Sequence, residues 1–205
     1  MNTTVMLIDD HAIMRMGLKS LLDTYSDIKV VADAEGGEEA VKTAIAKKPD
    51  VIVMDLMMPV MDGTESTRRI LAEWPDAKIL ILTTYGTADA IGHTLDAGAK
   101  GAMIKNAELD ELVAAIRKIA GGEKFVDSEI SQMLSETPPI PKLSPRQQEI
   151  LQSIIRGLSN EEIAKMLGIG LSVEKEHVRA TFAKIGAANR AEAVAIALKK
   201  HLLKI

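Results

Sequence analysis

The sequence predicts an α/β domain with a doubly wound, parallel, five-stranded sheet, followed by a second, small all-α domain. Over residues 1–121, five short apolar runs alternate with segments of helical periodicity. Each apolar run is almost unbroken, as expected for strands that are buried on both faces of a parallel sheet. After a proline-rich stretch the alternation stops, and the remaining periodic segments are all helical in pattern.

The predicted strands and helices of the first domain follow one another in regular order. The apolar runs predict strands over residues 5–8, 29–32, 51–54, 79–82 and 102–104. Helical periodicity predicts helices over residues 14–22, 38–47, 65–72, 89–97 and 109–119. Five βα units in succession imply right-handed crossovers, so the helices should cover both faces of an open sheet.

Glycine and proline mark the end of the first domain. Gly121 and Gly122 follow the last predicted helix, and Pro138, Pro139 and Pro141 favour an extended spacer. The sequence therefore predicts domains over residues 1–121 and 143–205, joined by a linker over residues 122–142.

The second domain begins with a strong helix-start signal. Ser144 is a candidate N-cap followed by proline at the first helical position, which predicts a helix through residue 156. Ser159 and Glu162 have the spacing of a capping box for a second helix ending at residue 167. Ser172 is the candidate cap of a third helix to residue 185, and a fourth is predicted over residues 191–203. Two helices joined by a short turn that contains glycine are typical of a helix-turn-helix.

Composition narrows the class of protein. Residues 1–142 carry 15 Lys and Arg against 23 Asp and Glu, whereas residues 143–205 carry 10 against 6. This asymmetry indicates an acidic site in the first domain and an anionic partner for the second.

The apolar content of 47% excludes a disordered chain, and the lack of cysteine excludes disulfides, thiolate metal sites and cysteine nucleophiles. Without a signal peptide or a long apolar run, we expect a cytoplasmic protein with no membrane partner.

Three carboxylates follow two strands that should be neighbours. Asp9 and Asp10 come directly after the first predicted strand, and Asp55 comes directly after the third. Ligands of open α/β sheets bind at the carboxyl ends of the strands, so these side chains should converge at one edge. Like charges this close repel unless a cation lies among them, and oxygen ligands suit Mg²⁺. Thr83 and Lys105 follow the fourth and fifth strands, and together with a metal ion they suit a phosphoryl group.

These residues resemble the receiver domain of bacterial two-component response regulators, a flavodoxin-like fold. The resemblance rests on the paired aspartates 9–10, the segment Met-Asp-Leu-Met-Met-Pro-Val-Met-Asp-Gly at 54–63, Thr83, and the segment around Lys105. It implies that Asp55 is the phosphoacceptor and that Thr83 and Lys105 contact the phosphoryl oxygens. The Mg²⁺ ligands that it implies are Asp9, Asp10, Asp55 and the backbone carbonyl of Met57.

Two positions depart from the receiver pattern. Ala102 stands where many receivers have an aromatic residue that turns inward on phosphorylation, so that switch is absent in its usual form. Thr83 could still re-aim its loop, and Tyr85 in that loop is either a substitute for the aromatic residue or an ordinary surface tyrosine. Asn106 follows Lys105 where many receivers have proline.

The second domain resembles the LuxR-type helix-turn-helix. The resemblance rests on the segments Leu-Ser-Pro-Arg-Gln-Gln-Glu-Ile-Leu at 143–151, Gly-Leu-Ser-Asn-Glu-Glu-Ile-Ala at 157–164, and Asn-Arg-Ala-Glu-Ala at 189–193. Together with the receiver it implies the NarL/FixJ class of response regulators, whose third helix enters the major groove of double-stranded DNA. It implies base and nearby phosphate contacts from Lys175, Glu176 and Arg179. It implies backbone contacts from Lys165, Lys184 and Arg190.

The third helix departs from its family at one position. The usual Thr-Val pair falls on Val173 and Glu174, so either the helix begins one residue away or Glu174 occupies a normally apolar position. In addition, Glu174 and Glu176 would both oppose the approach of a phosphate. The alternative hypothesis for residues 143–205 is a helical protein-binding module whose charges form a solvated face.

The sequence therefore predicts a transcriptional response regulator that is not an enzyme. Phosphorylation of Asp55 by a histidine kinase would control homodimerisation and sequence-specific binding to double-stranded DNA. The fourth helix of the second domain carries an apolar stripe that serves either pairing or core packing, formed by Ala191, Val194, Ala195 and Leu198. Two alternatives remain: a regulator that acts through protein contacts, and a metal-dependent phosphotransferase or phosphatase for small molecules.

Overall fold

The computed structural model describes residues 2–84, 86–137, 139, 143–199 and 202, except for the side chain of Lys199. The chain divides into two compact units, Met1–Pro139 and Ile140–Ile205. Tyr85 and most of the proline-rich stretch lie outside the described residues, and so does the predicted end of the last helix at residue 203.

The described part of the first unit contains one six-stranded parallel sheet in the order β2-β1-β3-β4-β5-β6. The strands are β1 (Thr3–Ile8), β2 (Ile28–Ala34), β3 (Val51–Met54), β4 (Ile79–Thr83), β5 (Gly101–Ile104) and β6 (Phe125–Val126). The doubly wound parallel sheet is therefore confirmed, with the five predicted strands in place and a sixth, β6, added beside β5. The register pairs Ile8 with Met54, so β1 and β3 end side by side.

Helices cover both faces of this sheet. They are α1 (Ala12–Leu22), α2 (Gly37–Lys47), α3 (Gly63–Glu73), α4 (Ala88–Asp96), α5 (Leu109–Ala120) and α6 (Ser128–Glu136). Because side chains alternate along a strand, the side chains of the sheet point into two separate cores. One core contains residues of α1 and α5, and the other contains residues of α2, α3, α4 and α6. This is the arrangement that right-handed crossovers produce.

The range predicted as a linker, residues 122–142, contains secondary structure of the first unit. After Gly121 and Gly122 the chain forms β6 along the open edge of β5, and then α6 packs against α4 and β5. Asp127 caps α6 through its side chain, and Ile130 is fully buried. These two elements were not predicted from the sequence, because β6 has only two residues and the prolines after α6 indicated a linker.

The second unit is helical throughout its described residues. Its helices are α7 (Pro145–Ile155), α8 (Asn160–Leu167), α9 (Leu171–Ile185) and α10 (Arg190–Lys199). Ser144 and Ser159 form the predicted caps, each as a complete capping box. Ser172 does not cap α9: the N-cap is Gly170, two residues earlier, and the helix begins at Leu171. None of the described helices has the length and apolarity needed to cross a membrane.

Candidate functional sites

Asp9, Asp10 and Asp55 converge at the carboxyl ends of β1 and β3, as predicted. The side chains of Asp9 and Asp55 are almost fully buried, and that of Asp10 is partly exposed. One ligand atom from each aspartate, together with one from His11, can be chosen so that all four lie within 4.8 Å of one another. Charges this close and this shielded from water need a cation among them.

Lys105 supplies a positive charge to this cluster from the end of β5. Its Nζ donates hydrogen bonds to Asp9 Oδ2 at 2.5 Å and to Asp55 Oδ2 at 2.7 Å. Burial disfavours the charged ammonium, but the hydrogen bonds to Asp55 and Asp9 outweigh it and raise the pKa of Lys105 above its ordinary value. The lysine therefore stays protonated and bridges the two buried carboxylates.

Thr83 completes this edge of the sheet from the end of β4. Its side chain is buried, and its hydroxyl forms no hydrogen bond with any residue that the structure describes. The Thr83 carbonyl accepts a hydrogen bond from the backbone N–H of Lys105 at 2.8 Å, so the two residues are held together. A buried hydroxyl without a partner is costly, which suggests that it is kept for a ligand or for a second conformation.

The donor set fits a hard divalent cation. One oxygen of Asp10, Oδ1, is buried and forms no hydrogen bond to the described residues, although His11 Nδ1 lies 2.9 Å away. Carboxylates and a backbone carbonyl are the ligands that Mg²⁺ takes in proteins, with water in the remaining positions. Sequence reasoning missed His11, whose backbone N–H also donates to Asp9 Oδ1 at 2.8 Å. Its place directly after the paired aspartates was the signal available.

The loop from Asp55 to Gly63 holds the Asp55 carboxylate in place. The backbone N–H of Met57 donates to Asp55 Oδ1 at 3.2 Å, and Asp62 caps α3 by accepting from Glu65 N. Gly63 is required by close approach, because a Cβ there would overlap the carbonyl oxygen of Asp55. The loop is therefore anchored at both of its ends, beside Asp55 and at the start of α3.

In the second unit, α9 presents a polar face opposite its buried one. Lys175, Glu176 and Arg179 are exposed on α9, and Lys165 is exposed on α8. Residues three and four positions apart lie on one face of a helix, so Lys175 and Arg179 project together. This face can meet an anionic surface, and only its Glu176 opposes the positive charge.

The last two predicted contact residues are engaged within the fold. Lys184 is partly buried and donates to Gln147 Oε1 at 3.2 Å. Arg190 donates from one guanidinium nitrogen to the carbonyl oxygens of Leu158 and Ile154, and so binds α10 to the end of α7. Both side chains thus have structural partners.

Comparison with known families agrees with the geometry of both units. The family model for the response regulator receiver domain matches residues 5–117, and the one for bacterial regulatory proteins of the luxR family matches residues 141–197. The chain belongs to the LuxR-type response regulators. It is a transcriptional regulator built from a receiver domain and a helix-turn-helix domain of the NarL/FixJ class.

Several relatives align with this chain over almost their full length. The oxygen regulatory protein NreC of Staphylococcus aureus is 36% identical over 214 aligned residues, covering 98% of this chain and 99% of NreC. Among solved structures, the response regulator ChrA of a heme-sensing two-component system is 37% identical, with a TM-score of 0.58 and coverage of 98% and 99%. A structure of two RcsB dimers bound to two parallel DNAs has 25% identity, a TM-score of 0.67 and coverage of 96% and 98%.

Two departures from the family take on structural meaning in this regulator. Ala102 is fully buried in the core that also contains Ile130 of α6, and its carbonyl accepts a hydrogen bond from the backbone N–H of Asp127, the N-cap of α6. Glu174 occupies the normally apolar position: it is fully buried on the same face of α9 as Val178 and Ile185. Burial raises the pKa of Glu174, against the opposing effect of Arg190, Lys175 and His177.

Proposed function

We propose that this response regulator accepts a phosphoryl group on Asp55 from a partner histidine kinase, and that the modification controls dimerisation and sequence-specific DNA binding. The observation that carries the proposal is the position of Lys105. Its ammonium bridges Asp9 and Asp55 beside the unpaired, buried hydroxyl of Thr83. An ammonium and a free hydroxyl at one acidic edge are suited to the equatorial oxygens of a transferring phosphoryl group.

The chain's own residues supply the nucleophile and the charge balance. A carboxylate oxygen of Asp55 forms the new bond to phosphorus while the bond from phosphorus to the donor's histidine nitrogen breaks, and the imidazole leaves with the electron pair. Lys105 and Thr83 hold the phosphoryl oxygens as charge accumulates on them. Asp9, Asp10, Asp55 and the Met57 carbonyl would hold Mg²⁺, which neutralises charge on the transferring group. In this proposal, phosphorylation of Asp55 modifies the regulator itself and is not part of a catalytic cycle on a separate substrate.

We place DNA recognition on the exposed face of α9. Lys175, Glu176 and Arg179 would contact bases and neighbouring phosphates, and Lys165 would contact the backbone. Lys184 and Arg190 would reach the backbone only by giving up part of their contacts within the unit. The DNA-bound dimers of the relative RcsB support this assignment. A regulator that binds the chromosome acts in the cytoplasm, the location that we propose.

Dimerisation fits the surface of α10. Ala191, Ala195 and Leu198 are exposed, whereas the neighbouring Ala193 and Ala197 fill the core. Of the predicted apolar stripe, only Val194 packs partly into the core. The stripe is thus available for pairing, and a two-fold dimer would require half-sites of matching symmetry.

Phosphoryl uptake is tested with the full chain, Mg²⁺ and acetyl phosphate, followed by intact mass. The wild type should gain one phosphoryl group, and Asp55→Asn should gain none. Asp50→Asn is the matched control, because Asp50 directly precedes β3 whereas Asp55 directly follows it. Uptake by Asp55→Asn would refute the assignment of the acceptor.

DNA binding is tested by selecting bound sequences from random duplex DNA with and without acetyl phosphate. The affinity of the selected duplex should fall steeply with salt, and removing one phosphate-binding side chain should lower the salt slope by about one. Lys175→Ala and Arg179→Ala should weaken binding, whereas Arg69→Ala, on an exposed face of α3, should not. If phosphorylated protein selects no duplex, the regulator acts through protein contacts instead.

A further inference from the structure

The segment after α5 forms a strap across the sheet edge and α4. The strap comprises β6, α6 and Pro139, and it begins with hydrogen bonds to β5, including Phe125 N to Lys100 O at 3.0 Å. A Cβ at Gly101 would overlap the carbonyl oxygen of Phe125, so this glycine makes room for the strap. Farther along, Ile130 enters the core shared by α4 and β5 and is fully buried.

The strap ends in a notch on α4. Gly92 lies in the interior of this helix, and a Cβ added there would come within 2.8 Å of Pro139 Cβ and closer still to Pro139 Cγ. Glycine in a helix interior is unfavourable relative to alanine, by about 1 kcal/mol. At position 92 the glycine is explained by the close approach of Pro139, which any larger residue would displace.

Asp127 forms three kinds of hydrogen bond, two of them to β5 and one within the strap. Its backbone N–H donates to the carbonyl of Ala102 at 3.1 Å. Its Oδ1 caps α6 by accepting from Glu129 N and Ile130 N, and its Oδ2 accepts from Ile104 N at 3.3 Å. One side chain therefore holds both the start of α6 and the last residue of β5.

Ile104 lies between the strap and the acidic edge. In the sheet register it is paired with Thr83, whose hydroxyl is the unpaired one. Its next neighbour in the chain is Lys105, which bridges Asp9 and Asp55. A backbone movement at Thr83 or Lys105 would therefore reach the Ile104 N–H that Asp127 holds.

We propose that the β6–α6 strap is the element that responds to phosphorylation in this regulator, in place of the aromatic residue missing at position 102. The inference rests on the proposed phosphorylation of Asp55. A phosphoryl group draws the Lys105 ammonium away from the two carboxylates and gives Thr83 its partner. Both movements shift the backbone at Ile104, weaken its bond to Asp127, and loosen α6. Among the described elements, α6 is the last one before the second unit. Its release therefore changes the segment that connects the receiver to the DNA-binding domain.

Hydrogen exchange of the full chain tests the strap directly. With acetyl phosphate and Mg²⁺, the α6 amides should exchange about tenfold faster, as expected for a segment that opens locally, while those of α2 stay unchanged. Asp55→Asn should show no difference between the two conditions. Intact mass is measured on the same samples. A phosphorylated Asp55 with unchanged exchange in α6 overturns the strap proposal alone, whereas failure of Asp55 to take up phosphate overturns the proposed function and the strap with it.

A pair of glycine substitutions tests the strap without touching the phosphorylation site. Gly92→Ala should raise exchange in α6 before any phosphate is added, because the new Cβ displaces Pro139. Gly17→Ala is its matched control: Gly17 is also inside a helix, and a Cβ there meets nothing within 4 Å among the described residues. Both variants gain helix propensity, so unfolding of the helices does not explain a difference between them. Equal exchange in both would contradict the proposal.

Asp127→Ser separates the two roles of Asp127. Serine is a good N-cap but its single short hydroxyl cannot also reach Ile104, so α6 should form while the side-chain bond to the Ile104 N–H is lost. Exchange in α6 should then be fast without phosphate and respond to phosphate less than about twofold. A response as large as that of the wild type would show that the signal does not pass through this aspartate.

Discussion

Replacing Glu174 by methionine should stabilise the second unit. The Glu174 side chain is 0% exposed, and neither carboxylate oxygen forms a hydrogen bond within the described part of the chain. An unsatisfied buried acceptor costs about 1–3 kcal/mol, and a charged one costs more. Methionine has nearly the same shape and high helix propensity, and it has no charge to desolvate. We expect a gain of about 2 kcal/mol at pH 7, which corresponds to a rise in Tm of roughly 8–16 °C for a unit of this size.

The gain should depend on pH with a definite sign. Burial raises the pKa of Glu174 above its ordinary value of 4.5. A group whose pKa is raised in the folded state gives full stability below its unfolded pKa, and that stability is lost as the pH rises through the folded pKa. The advantage of Glu174→Met over the wild type should therefore grow from pH 4.5 to pH 7. Glu174→Gln, which removes the charge but keeps polar atoms, should give only part of it.

The assay uses the single tryptophan of the chain, Trp74, which lies in the first unit. Tryptophan fluorescence in urea follows the first unit alone, whereas far-UV circular dichroism follows the helices of both, so the second transition can be isolated. Glu176→Met is the matched control, because Glu176 is exposed two residues away, and it should change stability by less than about 0.5 kcal/mol. A Glu174→Met variant no more stable than the wild type at pH 7 would refute the reasoning, and so would an advantage that is independent of pH.

Three further predictions concern the receiver domain. Lys105→Met should destabilise the receiver domain by about 3 kcal/mol in urea titrations, because it leaves the buried carboxylates of Asp9 and Asp55 unpaired. Added Mg²⁺ should then stabilise this variant more than it stabilises the wild type. Gly63→Ala should cost about 1–3 kcal/mol and slow phosphoryl uptake, measured by intact mass, because its Cβ would overlap the Asp55 carbonyl oxygen. Val60 is 97% exposed at a φ of +67°, so Val60→Gly should relieve left-handed strain and stabilise the domain by about 0.5–1 kcal/mol in thermal melts. Val60→Ala, which keeps a Cβ at the same φ, should gain less than glycine does.

The acidic edge was predictable because it depends on chain order alone. Asp9, Asp55 and Lys105 each follow an apolar run, and parallel strands place their carboxyl ends at one edge whatever fills the core. The hydrogen bonds from the Lys105 ammonium to both carboxylates required coordinates, because a lysine side chain can reach many positions from one backbone site. The unpaired hydroxyl of Thr83 could be seen only once every neighbouring donor and acceptor had been placed.

The strap was missed for a physical reason. A two-residue strand carries no periodicity, and β6 forms because β5 leaves an open edge with Gly101 to admit the backbone of Phe125. The signal for α6 was present in Ile130, Met133 and Leu134, whose spacing is helical. The prolines that follow it indicated a linker and outweighed that short pattern.

The sequence by itself determined the class of fold and the set of charged side chains at the acidic edge, because these follow from periodicity and from residue types at strand ends. Only the tertiary structure decided which side chains are buried and which are exposed. Glu174 and Glu176 are the same residue type two positions apart on one helix, yet one is fully buried and the other is exposed. The sequence likewise shows Ala102 only as a missing aromatic residue, whereas the structure places it in the same core as Ile130 of α6. Burial depends on which elements meet across the core, and the local pattern left two alternatives for Glu174 that only the packing could separate.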